Sequence, residues 1–174
     1  MAGPRDAGFD ALTLAGYRTA SLFAKLTPSP LALGASLALG APLALGMRDK
    51  RAMIERHLQR VNPALKGFAL RQAVQESFQS YTRYYLETFR LGTLSKKQIE
   101  AGFSVDGFKY IEQGIAAGNG VILALPHLGG WEWSGRWLVD QGYGLTAVVE
   151  HLDNEELFEW FKQMRSRVGV DVIP

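Results

Sequence analysis

The chain has 174 residues, of which 47% are apolar and 21% charged. That is enough to build a core and too apolar for disorder. It has no cysteine, so disulfides, thiolate metal sites and a cysteine nucleophile are excluded, and a net charge of +2 is too small to imply nucleic acid as a partner.

Residues 1–8 read as a loose terminus. From Phe9 to Leu26 the apolar residues Phe9, Leu12, Leu14, Tyr17, Leu22, Phe23 and Leu26 follow helical spacing. Pro28 and Pro30 stop that pattern. Residues 26–47 then carry no charge and consist largely of Leu, Ala and Gly. A membrane span needs about 20 apolar residues, so this stretch is borderline in length. Pro42, with Gly34, Gly40 and Gly46, argues for a pair of helices in or against a membrane surface rather than one straight span. A buried core hairpin is the alternative. Arg48, Lys50, Arg51, Arg56 and Arg60 follow at once, a cluster suited to anionic headgroups, and Lys50 to Val61 reads as a short basic helix that ends before Asn62–Pro63. No signal-peptide order of basic start, apolar run and cleavage site is present.

Ala69–Leu91 is the longest helical candidate, with Leu70, Val74, Phe78, Tyr81, Tyr85 and Phe89 recurring every three to four residues. Core packing explains that stripe more simply than a ligand site. Gly102–Gly107 is a candidate edge strand, and Phe108–Ala117 a helix. Val121–Leu125, a short apolar run introduced by Gly118-Asn-Gly120, reads as a buried central strand. Pro126 ends it. A helix Trp131–Gln141, a strand Leu145–Val149, a helix from Asn154 to about Val168 capped by Asp153, and a strand Val170–Ile173 complete the series. The alternation predicts an α/β fold in which N-terminal membrane-associated helices precede a parallel-rich sheet with crossover helices. We expect residues 1–49 to form the membrane-associated segment. Residues 50–174 are expected to form the first part of an α/β domain truncated at its C-terminal side.

Chemistry concentrates where the central strand ends. His127 sits in the turn, Gly129 and Gly130 permit tight backbone, and Glu132 falls in the first turn of the next helix. On one continuous helix the two side chains would stand about 140° apart. With His127 in the turn they can meet. Glu132 could then fix the imidazole tautomer while the free ring nitrogen takes a proton from a hydroxyl. The spacing is not the i, i+4 pair of a zinc helix, and no third ligand is evident, so a metal site is not expected. Trp133-Ser134-Gly135 does not fit a serine hydrolase elbow. His57 and His151 read as surface histidines.

The block Leu125-Pro-His-Leu-Gly-Gly-Trp-Glu132 resembles the HX4E motif of the bacterial lysophospholipid acyltransferase superfamily. Within it, the chain is similar to the branch of late lipid A acyltransferases and actinobacterial phosphatidylinositol mannoside acyltransferases. Arg56-His-Leu-Gln-Arg60, Tyr81–Arg90 and Met164–Pro174 extend the likeness from about residue 10 to the end. The resemblance implies transfer of a fatty acyl chain from acyl-CoA or acyl-carrier protein to a hydroxyl of a membrane glycolipid. His127 would be the base and Glu132 its orienting partner. No cofactor is implied beyond the thioester co-substrate. The Gly129 and Gly130 N–H groups or Arg165 would face the developing oxyanion. Spacing alone does not choose between Arg165 and Arg167; the resemblance favours Arg165. The expected location is the cytoplasmic face of the plasma (inner) membrane, with no nucleic-acid partner. A thioesterase in which His127 activates water, and a non-catalytic membrane-binding protein, are the competing readings.

Overall fold

The structure is a computed structural model that describes residues 7–174. Most of the proposed loose terminus lies outside the described residues, while Ala7 and Gly8 already belong to a helix. The chain divides into two compact units, residues 1–90 and 91–174.

The first unit contains four helices among the described residues: α1 (Ala7–Leu26), α2 (Ser29–Gly46), α3 (Arg48–Val61) and α4 (Gly67–Arg90). Instead of a helix pair, residues 29–46 form one continuous helix. Pro28 and Pro30 stand at its start, where a missing N–H removes no intrahelical bond. Pro42 does remove one rung, yet helix continues around it because α2 is held along its length by α4. Ser36, Gly40 and Ala44 recur every four residues and are the buried residues of α2. At Gly40 the helices meet so closely that a Cβ would lie 2.7 Å from Gln79 Cγ and 2.9 Å from its Cα. Ala44, Val74 and Phe78 then form a buried cluster, flanked by Ile54, Leu58 and Leu70. This packing of α3 and α4 on α2 holds residues on both sides of position 49 in one compact unit that runs to Arg90. Burying side chains such as Phe78 contributes about 1.5–3 kcal/mol each. α3 ends because Asn62 precedes Pro63 and turns extended, its N–H still closing on Leu58 O at 2.9 Å. On α1, Tyr17 packs against Tyr85 and Phe89, with centroids 5.9 and 6.4 Å away.

The second unit begins with one 3₁₀ turn at Leu91–Thr93, then α5 (Lys96–Ala101) and α6 (Lys109–Ala116). Ser95 and Gln98 form a reciprocal capping box at the start of α5. After a long irregular stretch come α7 (Trp131–Asp140), β1 (Leu145–Val148), α8 (Glu155–Ser166) and β2 (Val170–Ile173). β1 and β2 pair in parallel, Leu145 opposite Val170 through Val148 opposite Ile173, with α8 as the crossover. Leu91, Ile99, Leu138, Leu157, Phe158 and Val170 supply the buried apolar side chains. The fold is therefore mostly helical with a small parallel sheet, less sheet-rich than expected.

Three expectations for this unit are corrected. Val121–Leu125 is not a strand: it takes no regular structure, and Ile122 is 97% exposed. An apolar run becomes a strand only when a neighbour takes up its backbone N–H and C=O groups, and among the described residues none does. Gly102–Gly107 forms a turn and loop, again without a ladder partner. The cap of α8 is Asn154, whose Oδ1 accepts from Leu157 N at 2.9 Å, one residue later than the expected Asp153.

Candidate active site

Leu128 N donates to Pro126 O at 2.8 Å, closing a three-residue turn with His127 at its centre. That turn throws the imidazole outward, and His127 is exposed. Gly129 follows at φ +60°, a conformation that a side chain would strain. Gly130 then caps α7 without any side-chain acceptor. The N–H groups of Gly129 and Gly130 donate to no acceptor among the described residues. So an exposed imidazole and, two and three residues on, two undirected backbone donors stand at the foot of a helix, where the dipole favours negative charge.

Glu132 is 7% exposed, in the first turn of α7. Its carboxylate is taken up by Arg165, in the last turn of α8: Nε donates to the two oxygens at 3.1 and 3.3 Å, and Nη2 donates to Oε1 at 2.5 Å. The fork geometry suits a bidentate guanidinium pair, and each charge sits at the helix end whose dipole favours it. The Arg165 guanidinium also lies 5.5 Å from the Trp131 ring and 5.7 Å from that of Phe161. Trp131 in turn stacks on His127, with centroids 5.7 Å apart and planes 11° from parallel. No hydrogen bond joins His127 to Glu132. Instead, His127, Trp131, Arg165 and Glu132 form a connected series in which the indole is the link.

The other sequence candidates fall elsewhere. Arg167 is exposed at the end of α8, so burial and pairing single out Arg165 as the structured cation. Ser134 Oγ donates to Trp131 O at 2.6 Å, within its own helix. His57 is exposed on α3. His151 is more than a lone surface group: its Nε2 is 3.2 Å from Glu155 Oε2 and its ring stacks on Phe158 at 4.4 Å. Sequence reasoning missed Trp131 and Phe161 as supports of the series. For Phe161 the signal was available, since Phe161 and Arg165 are an i, i+4 pair on one helix; for Trp131 it was not, because His127 lies outside α7.

A family model described as bacterial lipid A biosynthesis acyltransferase matches residues 12–174. Phosphatidylinositol mannoside acyltransferases from two strains of Mycobacterium tuberculosis are 37% identical over 100 residues, covering 56% of this chain and 32% of each relative. A phosphatidylinositol mannoside acyltransferase of Mycolicibacterium smegmatis is 37% identical over 102 residues, covering 58% of this chain and 33% of the relative. The matched stretch thus spans about a third of the length of these relatives. With the match running through all the helices of both units and through the His127 turn, the chain belongs to the bacterial lipid A biosynthesis acyltransferase family.

Proposed function

We propose that the chain carries the base of an O-acyltransferase that moves a fatty acyl group from acyl-CoA or acyl-carrier protein to a hydroxyl of a membrane glycolipid. The observation that carries this reading is the exposed His127 imidazole beside the undirected N–H groups of Gly129 and Gly130. The acceptor oxygen attacks the thioester carbonyl carbon while His127 takes the hydroxyl proton. Negative charge collects on the carbonyl oxygen, where the two glycine N–H groups donate to it. The C–S bond then breaks, the ester remains on the acceptor, and the thiolate recovers the proton from His127. No acyl-enzyme forms, and no cofactor is called for beyond the thioester.

Glu132 is a positioning residue in this reading. Its bidentate bond to Arg165 ties the start of α7, and hence the His127 turn, to the end of α8. Direct orientation of His127 by Glu132 would require the carboxylate to leave a buried guanidinium, which is costly. The named relatives favour a phosphatidylinositol mannoside as acceptor over a lipid A precursor. Ser29–Gly46 is long and apolar enough to cross a membrane, and cations follow it directly. These features support action at the cytoplasmic face of the plasma membrane, where thioester donors are available.

The test is transfer of labelled palmitate from palmitoyl-CoA and from palmitoyl-carrier protein to phosphatidylinositol mannoside or to a lipid A precursor, with and without His127→Ala. Loss of a general base lowers the rate by about 10²- to 10⁴-fold. Equal turnover by the alanine variant rules out the base. Label released only as free fatty acid makes the protein a thioesterase, a reading that the exposure of His127 to water supports. Absence of both products leaves a membrane-binding protein without catalysis.

A further inference from the structure

The exposed surface of α2 is apolar on every side, with Leu31 61%, Leu37 45% and Leu45 72% exposed. A helix without a polar face belongs inside a core or a bilayer. The buried line is Ser36–Gly40–Ala44, covered chiefly by α4, whose Gln79 backbone meets Gly40 near the middle of α2, and at the Ala44 end also by α3. The outer side of α4 is strongly polar. Glu76 and Arg83 are exposed, and Arg83 Nε lies 2.7 Å from Oε1 of the half-buried Glu87. α2 and α4 together are therefore amphipathic, although α2 alone is not. α2 supplies the apolar layer and α4 the polar layer.

We infer that α2 lies flat within one leaflet of an anionic bilayer, with α4 as its water-facing back, and does not span the membrane. If α2 crossed, α4 packed at its midpoint would carry Glu76, Gln79 and Arg83 into hydrocarbon, where ionised side chains are strongly disfavoured. Lying flat, the pair keeps those groups in water and immerses the leucines. α3 supplies the charge complement. It starts at Arg48, directly after α2, and turns Ile54 and Leu58 toward the core. Its Lys50, Arg56 and Arg60 are exposed and form no ion pair among the described residues. Such cations favour anionic headgroups over zwitterionic ones. This seating is independent of the chemistry proposed for His127.

The chain has no cysteine, so a single introduced thiol gives one labelling position. Leu31→Cys, Leu37→Cys, Leu45→Cys and, on α4, Glu76→Cys would each carry an environment-sensitive fluorophore. They would be mixed with vesicles of phosphatidylglycerol and phosphatidylcholine containing lipids spin-labelled at defined depths. The expected result is three α2 labels that shift to the blue and quench at one shared shallow depth, while the Glu76 label stays aqueous. A Leu37 label at mid-bilayer with Leu31 and Leu45 near opposite surfaces would establish a span and overturn the inference. So would α2 labels that remain aqueous, or that become buried only in a concentration-dependent dimer. In the same assay R56E/R60E should weaken binding to the anionic vesicles on the order of twentyfold and leave phosphatidylcholine vesicles unaffected. Equal binding of this variant to both compositions would remove the charge complement from the argument.

Discussion

The two units are held together by different physics. In residues 7–90 long helices meet along small residues, and their polar backbone groups are satisfied within each helix. In residues 91–174 the elements are short, and their register depends on a few directional contacts: the Ser95 capping box, the Asn154 cap and the Glu132–Arg165 fork. A helix ridge tolerates exchange of one apolar side chain for another of similar volume. A bidentate ion pair tolerates almost nothing. The proposed site lies in the second kind of architecture, which suits groups that must be held within fractions of an ångström.

The sharpest way to break this contrast is to remove one end of the fork. The side chains of Arg165 and Glu132 are 13% and 7% exposed, so the pair is screened little by solvent. Glu132→Ala or Arg165→Ala should each cost about 3–5 kcal/mol of stability, because each leaves a buried charge without its partner. Urea unfolding measures this, and a double-mutant cycle isolates the coupling. Arg165→Lys should recover only part, since an ammonium cannot fork. Single losses below about 1 kcal/mol would put the pair among solvated surface bridges and remove the reason for calling this unit polar-held.

In the helical unit one chemical change tests the close crossing in two places. Gly40→Ala puts a methyl within 3.0 Å of the Gln79 backbone and should cost about 1–3 kcal/mol. Gly34→Ala, with nothing within 4 Å, should stabilise α2 by up to about 1 kcal/mol. Thermal melts of the two variants should therefore move in opposite directions. Parallel shifts would mean that α2 and α4 are not in intimate contact.

The difference between the units also decides what could be read from sequence. Apolar periodicity gave α4 and α1 within a few residues, because a helix satisfies its own backbone and needs no remote partner. The same reasoning failed at Val121–Leu125, where strand formation depends on a neighbour that no local pattern reveals. It also split α2, since prolines were weighed by local cost without the support of α4. At the site, the turn around His127 was legible. The partner of Glu132 was not, because Arg165 is 33 residues away and only the fold brings it near. Spacing likewise left Arg165 and Arg167 open, and burial separates them. The α8 cap was missed by one residue. Asn154→Ala should cost about 1 kcal/mol, read by chemical denaturation. A loss well under about 0.5 kcal/mol would mean that Asn154 does not cap α8.

The smallest effect is a pH dependence confined to the helical unit. Burial raises the pKa of the Tyr85 phenol, and hydrogen bonding with Tyr81 and Tyr17 adds to it. The folded chain therefore keeps its proton above pH 10, where the same phenol ionises in the unfolded chain. Since the folded state holds the proton more tightly, this contribution is fully present below pH 10 and is lost as pH rises past it. By half a unit above pH 10 the loss stays under about 1 kcal/mol. Tyr85→Phe removes the titrating group but keeps the ring against Phe89, 5.6 Å away. Stability measured from pH 8 to 11 should then fall less steeply at the alkaline end, with little change at pH 8. An unchanged alkaline slope would mean that Tyr85 reaches water, and that the aromatic cluster between α1 and α4 is looser than the rings imply.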